Sequence, residues 1–347
     1  MPEDEPEHIA MNRQWQFKHF PQPGEPLSGC FDYVESHKPQ LADGQFLVKT
    51  RTFSIEPAMV PWMMSLADYM VPQEPGAPML SWAMGEVVES RHSKYVIGER
   101  VTGVFGWQDY CVANGTDINN DIIEKVDPTV SDEDAVSVLW ISGLTAMIGL
   151  YEIGKPVIGD TALISGAAGS VGHLVGQFAK LAGCRVVGIA GSEEKCHWLK
   201  DTLHFDDAIN YKKQELTPAI QSACPGGVDL FWDNVGGQTL DAGIACLAAN
   251  ARVVMCGFLS IYSDFSQIPP MNNILAVAGS RANMSGFIVT DHKDKYSTAK
   301  QRIRQLLNAG RVLSAKTVLE GFDQLPQALD HLYAGRNTGK LIVKQID

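Results

Sequence analysis

The sequence predicts an α/β protein in which a β-rich domain precedes a parallel-sheet domain. Three observations predict it. Up to about residue 135 the chain is rich in Pro and Gly, with short apolar runs between glycine turns. From about residue 137, strand-like runs alternate with helical patterns. Between them in character is a glycine turn, Gly166-Ala167-Ala168-Gly169-Ser170-Val171-Gly172, that joins a strand to a helix. A chain of 347 residues exceeds one ordinary core, which agrees with two domains.

In the first part, Gln45 to Arg51, Gly85 to Ser90 and Arg100 to Val104 read as strands, punctuated by Gly98-Glu99 and Gly106. Many short strands with glycine turns suggest a small barrel-like domain. The uncharged stretch Ala135 to Tyr151 carries Gly, Ser and Thr and reads as a buried helical segment, not a membrane span. Thr161 to Ser165 is the first apolar strand of the second part. Val171, Leu174, Val175, Phe178 and Leu181 then recur at helical spacing, and Gly183 follows as the cap. Arg185 to Ile189, Val228 to Asp233 and Arg252 to Cys256 are further strands. Strands alternating with helices make βαβ units with right-handed crossovers. Gln301 to Leu307 reads as a late helix. Lys340 to Lys344 reads as a strand expected to return to the first domain.

Composition narrows the function. Lys plus Arg is 28 against 40 Asp plus Glu, a formal charge of −12, with no basic run. Such a chain is a poor partner for a phosphate backbone, so nucleic acid is not expected. An anionic ligand must be bound locally, against the overall field. Seven cysteines without a CxxC pair argue against a disulfide framework and a structural zinc lobe, and for reduced thiols in a cytoplasm. The opening MPEDEPEHIA is acidic and resembles neither a signal nor a transit peptide.

The glycine turn points to a dinucleotide. A helix N-terminus offers N–H groups and the positive dipole end to a pyrophosphate, and small residues let the backbone approach it. The spacing is GxxGxxG, and a tight structural turn is the alternative. An NAD site wants a carboxylate at the end of the second strand, for the ribose 2′-OH. Here that strand runs into Ala190-Gly191-Ser192, then Glu193-Glu194-Lys195. Ser192 and Lys195 suit a 2′-phosphate, and so NADPH. Alternatively Glu193 takes the ribose hydroxyls and Lys195 is a solvated helix residue.

With these residues in view, the chain resembles the zinc-independent medium-chain dehydrogenases/reductases. Within them it is similar to the leukotriene B4 dehydrogenase/prostaglandin reductase branch and the bacterial curcumin reductases. The resemblance rests on Gly166 to Gly191 with Ser192-x-x-Lys195, Asn12-Arg13-x-Trp15, Gly106-Trp107-Gln108-Asp109-Tyr110 and Gly143-Leu144-Thr145-Ala146. It continues in Asp233-Asn234-Val235-Gly236-Gly237, Cys256-Gly257 with Tyr262, and Asn337-x-Gly339-Lys340. It implies a GroES-like catalytic domain over 1–136, a doubly wound Rossmann domain over 137–308, and a return to the catalytic domain over 309–347. It further implies a homodimer, and an active site in the cleft between the domains.

The activity implied is reduction of the C=C bond of α,β-unsaturated ketones and aldehydes. Hydride passes from NADPH to the β-carbon and a proton to the enolate. Alcohol dehydrogenation in this superfamily uses zinc held by Cys and His. No GHE segment or cysteine quartet is present, and no metal is expected. An enolate can instead be stabilised by hydrogen-bond donors.

By the same resemblance Tyr262 is the enolate or proton donor, loop packing being its alternative role. Tyr211, in Tyr211-Lys212, helps hold the 2′-phosphate or is a strand-end aromatic. Asn337, Thr145 and Phe287-Ile288 line the nicotinamide end, and Asn234, Cys256 and Gly257 complete the cofactor-binding set. The family often reads Asp-Pro-Tyr-Met-Arg where this chain has Glu56-Pro57-Ala58-Met59-Val60. Ala58 therefore faces the substrate without a hydroxyl. Trp62, Met63, Met64 and Tyr69 either refill that wall or form core. Cys256 has no evident base beside it and reads as packing. Cys196 and His197 read as helix surface. The other functions weighed are a quinone oxidoreductase and a non-catalytic NADP(H)-binding protein.

Overall fold

The computed structural model describes residues 11–22, 24–64, 69–262 and 268–346. The acidic opening segment 1–10 lies outside them. The chain divides into two compact units: Met1–Val136 with Val318–Tyr333 and Ile342–Asp347, and Ser137–Thr317 with Ala334–Leu341.

The first unit contains β1 (Met11–Phe17), β2 (Phe31–His37), β3 (Phe46–Ser54), α1 (Met59–Met63), β4 (Trp82–Ser90), β5 (Arg100–Val104), β6 (Tyr110–Ala113), β7 (Glu124–Lys125) and α2 (Asp132–Ala135). β3 is buried along nearly its whole length because β4, β6 and the tail strand all pair with it. That explains its almost unbroken apolar and Thr/Ser sequence. The motif around Asn12 and the one around Gln108 prove to be partners. The buried Asn12 side chain pairs with the Tyr110 backbone as a strand would, donating to its carbonyl (3.1 Å) and accepting from its N–H (2.9 Å). Arg13 forks the Asp109 carboxylate through Nε (2.8 Å) and Nη2 (3.0 Å).

The second unit opens with α3 (Ile141–Ile148), buried at all but its first residue, which runs into a π-helical turn over Gly149–Gly154. Its sheet strands are β8 (Thr161–Ile164), β9 (Arg185–Ala190), β10 (Asp207–Asn210), β11 (Val228–Asp233), β12 (Leu247–Met255) and β13 (Asn283–Gly286). Among them lie α4 (Gly172–Leu181), α5 (Glu193–Asp201), α6 (Leu216–Ala223), α7 (Gly237–Ile244) and α8 (Leu275–Ser280). The order β10-β9-β8-β11-β12-β13, parallel throughout, is the doubly wound Rossmann arrangement. Leu163, Val187, Ile209, Phe231 and Val253 fill its core with Ile220, Leu240 and Ile244 from the helices. The chain ends in α9 (Tyr296–Asn308), β14 (Lys316–Glu320), α10 (Leu325–Tyr333) and β15 (Lys340–Lys344). β15 returns to the first unit's sheet, with Ile342 opposite Ser54 of β3. Among the described residues no helix is long and apolar enough to cross a membrane.

Several expectations shift. The late helix spans Tyr296–Asn308, because Ala299 and Ile303 continue one buried face. The strand read at Arg252 begins at Leu247. Cys196 is a correction: it is buried with Leu199, three positions on, and only His197 of the pair is exposed. The tail is also shared between the units. Residues 309–317 and 334–341 group with the second, the former through bonds to α4 and the latter through bonds to Ala168, Ala315 and Lys195 described below.

Candidate cofactor and active site

The glycine turn follows β8 and opens α4. Gly172 is there because nothing larger fits: a Cβ would lie 2.4 Å from the Gly166 carbonyl oxygen. The turn is tied down on three sides. Ala167 N–H donates to the Ile189 carbonyl (3.0 Å), and Gly169 N–H to that of Gly166 (2.9 Å). The Ser170 and Ser142 hydroxyls share a bond of 2.8 Å, which links the turn to α3. α4 has no side-chain cap and no acidic residue in its first turn, so no carboxylate competes with an anion at its positive end. The residues predicted to cradle a pyrophosphate thus form one compact cradle.

The end of β9 carries the charges. Ser192 caps α5, its Oγ accepting from the Lys195 N–H (3.3 Å). Glu193 is turned toward β10, where its carboxylate accepts from Asn210 Nδ2 (2.8 Å) and lies 3.5 Å from Lys213 Nζ. Lys195 Nζ donates to the Gly335 carbonyl (2.7 Å). Burial, then the positive charge of Lys212, holds the Lys195 ammonium below its ordinary pKa. Tyr211 lies over Gly191, where a Cβ would meet its ring at 3.1 Å. Gly191, Ser192, Lys195 and Tyr211 are therefore brought together, and Lys212 joins them. In the sequence Lys212 stands out only as the neighbour of Tyr211. Its adjacency to that residue was the available signal.

The ends of β11 and β12 gather groups whose pKa values burial raises. Asp233 is fully buried: its carboxylate accepts from Ser165 Oγ (2.5 Å), Gly236 N–H (2.7 Å) and Val235 N–H (3.2 Å). Burial raises its pKa in spite of these bonds. The Asn234 side chain is spent internally, accepting from Trp232 Nε1 (3.0 Å) and donating to the Ser165 carbonyl (2.7 Å). The loop after Gly257 is pinned to this corner by Leu259 N–H on Asn234 O (3.3 Å) and Ser260 N–H on Val235 O (3.0 Å). The loop carries Tyr262, whose hydroxyl is 3.7 Å from where a Gly257 Cβ would stand. Burial raises the Tyr262 phenol, a backbone bond at Phe258 opposes it, and Cys256 adds slightly. Burial, then Asp233, pushes the Cys256 thiol up to about 12.

The Phe287 ring meets Trp232 edge-on at 5.8 Å, and both rest where Gly149 lacks a Cβ. Ile288 is partly exposed and Thr145 is buried on α3. Buried Asn337 donates to the Gly339 carbonyl (2.8 Å).

Ala58 belongs to the first unit, just before α1. Trp62 and Met63 are core there, at 1% and 0% exposure, and Trp62 Nε1 donates to Tyr69 Oη (3.2 Å). Tyr333 Oη donates to the Pro57 carbonyl (2.8 Å), fixing the backbone beside Ala58. Among the described residues one group of three metal-capable side chains occurs, His19, Glu25 and Cys30, also in the first unit.

The turn, the parallel sheet and the β-rich partner define a nucleotide-dependent oxidoreductase. Residues 13–120 match the family described as the N-terminal domain of oxidoreductase, and residues 170–305 the family described as zinc-binding dehydrogenase. An NADPH-dependent curcumin reductase of Escherichia coli is 32% identical over 96% of this chain and 96% of its own. Prostaglandin reductase 1 of Bos taurus is 34% identical over 96% of this chain and 98% of its own. The crystal structure of CurA from Vibrio vulnificus in complex with NADPH superposes with a TM-score of 0.89 at 32% identity, covering 96% of this chain and 99% of that one. The chain belongs to the zinc-independent medium-chain dehydrogenases/reductases, in the branch of the curcumin and prostaglandin reductases.

Proposed function

We propose that this protein reduces the C=C bond of α,β-unsaturated ketones and aldehydes with NADPH. The observation that carries the cofactor is the end of β9. Lys195 and Lys212 flank Tyr211 there, while Glu193, the carboxylate weighed for a ribose, is engaged with Asn210. The glycine turn fits a dinucleotide because its shape depends on a missing Cβ at Gly172. Gly166, Ala167, Ala168, Gly169, Ser170 and Val171 would hold the pyrophosphate. Ser192, Lys195 and Tyr211 would hold the 2′-phosphate, and Thr145, Asn234, Cys256, Gly257, Phe287, Ile288 and Asn337 the nicotinamide end.

NADPH, when bound, supplies the hydride for the β-carbon. The protein's part is to hold a proton for the oxygen or α-carbon of the resulting enolate. Tyr262 suits this role, because burial keeps its phenol protonated. Substrate is met in part by Ala58, whose small side chain admits bulky apolar enones. The test is NADPH consumption with enals, cyclic enones, quinones and curcumin, with NADH in parallel. Turnover of enones with NADPH supports the reading. Turnover of quinones alone, or binding of NADPH with no turnover of any, overturns it.

The same reading includes a cytoplasmic homodimer. All seven cysteines are free thiols, which suits a reducing compartment. α8 buries none of its residues, Leu275 is 82% exposed, and β13 is an edge strand. An apolar helix beside an open edge is the kind of surface a second copy covers. Sedimentation with and without Leu275→Lys tests it.

A further inference from the structure

α4 carries two buried polar side chains that the activity above leaves unexplained, His173 and Gln177, one turn apart. They do the same thing. His173 Nδ1 is 2.8 Å from the Gly169 carbonyl, four residues back, and the Ala315 N–H reaches its Nε2 at 3.3 Å. Gln177 Nε2 donates to the His173 carbonyl, also four residues back (3.0 Å), and its Oε1 accepts the Leu313 N–H (2.7 Å). Gln177 Nε2 also reaches the Leu313 carbonyl (3.0 Å). Side chains of a helix thus stand in for a strand edge and hold residues 313–315.

The acceptor at Gly169 and the donor at Ala315 allow His173 one state, the neutral ring with its proton on Nδ1. Ala315 in turn accepts from the Lys340 N–H (2.9 Å), and Gly339 N–H donates to the Ala168 carbonyl (2.8 Å). The bonds close a ring that runs from the glycine turn through His173 and Ala315 to Gly339, two residues from Asn337. A trans peptide points its N–H opposite to its carbonyl. Holding the Gly169 carbonyl toward His173 therefore turns the Ser170 N–H the other way, as an anion-binding turn requires.

We infer that His173 is a positioning residue for the cofactor: it fixes the glycine turn from behind and ties it to the segment that carries Asn337. This rests on the functional reading above, in which the turn holds the pyrophosphate. The His173 side chain itself is spent on Gly169 and Ala315, so its loss should act on affinity and not on the chemical step.

The test uses the full-length protein as His173→Phe and His173→Gln. Phe keeps the ring and removes both bonds. Gln restores a donor and an acceptor, as Gln177 already does on the same helix. Three readouts apply: amide exchange over residues 312–317 without nucleotide, the NADPH dissociation constant by fluorescence of bound NADPH, and kcat for an enone at saturating NADPH.

The expected result for His173→Phe is faster exchange at Ala315, NADPH affinity weakened about tenfold, and kcat within about twofold. His173→Gln is expected to recover most of the exchange protection and affinity. Unchanged NADPH affinity in His173→Phe, or a fall in kcat alone, overturns the positioning role. So does failure of Gln to recover what Phe loses. If His173→Phe does not fold, Gln177→Leu removes the neighbouring rung. It should free Leu313 and weaken NADPH by a smaller factor, and unchanged affinity there overturns the role equally. Failure of the unaltered protein to bind NADPH overturns the functional reading itself, a result separate from any variant.

Discussion

The end of β9 and the ends of β11 and β12 are built on opposite electrostatic plans. At the first, the ammonium groups of Lys195 and Lys212 gather, and burial and the charge of Lys212 lower the Lys195 pKa. At the second, burial drives each perturbed group toward its uncharged form: Asp233, Tyr262 and Cys256 all rise, the last to about 12. In the proposed function one region recognises a fixed anion and the other holds a proton. The difference teaches that one Rossmann sheet can gather cationic groups and buried proton-bearing groups at the ends of strands on either side of β8.

The largest effect that can break this contrast is at Tyr262. Tyr262→Phe should lower kcat by about 10² to 10⁴ while leaving NADPH affinity near its original value. An unchanged kcat, with a full isotope effect from deuterated NADPH, removes Tyr262 from the chemistry at the ends of β11 and β12. Next is the charged region. Lys195→Ala should weaken NADPH by roughly 10- to 150-fold and leave NADH nearly untouched, the worth of a charged hydrogen bond. Equal losses for both nucleotides in a titration would erase the distinction between the two ends.

Cys256 sharpens the contrast from the other side. A thiol near 12 should alkylate roughly 50-fold more slowly at pH 8 than an ordinary free thiol, its lower thiolate fraction outweighing its greater nucleophilicity. Mass-spectrometric labelling rates in urea-free buffer measure this, and prompt labelling contradicts it.

The last expected effect is on stability. Burial, with a minor part from the charge of Lys316, holds His173 at about 4, against the carbonyls of Gly169 and Ser170. The unfolded chain takes up this proton below the ordinary value of about 6.5, and the folded chain only near 4. Stability therefore falls as pH drops through that window, by roughly 3 kcal/mol for this group. Urea unfolding at several pH values should show a shallower decline in His173→Gln. Identical slopes would mean that His173 does not titrate differently in the two states.

How much was legible depends on how local the determinants are. The turn from Gly166 to Gly172 could be read because its shape is completed within a few residues. The partnership of Asn12 with Tyr110 left two recognisable motifs but no sign that they meet. His173 and Gln177 gave no signal, since a buried polar residue on a helix declares itself only when its partner is known. Lys212 was in plain view beside Tyr211, yet its charge matters only because β10 lies alongside β9. Cys196 was misplaced for a similar reason: helical spacing alone does not say which face meets the sheet.

By itself the sequence determined the alternation of strands and helices, the anion-seeking turn and the absence of a carboxylate at the end of β9, because these follow from backbone sterics and short-range patterning. Only the tertiary structure decided where Glu193 points, which thiols are inaccessible, and that residues 313–315 and 339 close behind the turn. Those outcomes depend on desolvation and on hydrogen bonds between separate elements of the fold, and both exist only once the chain has packed.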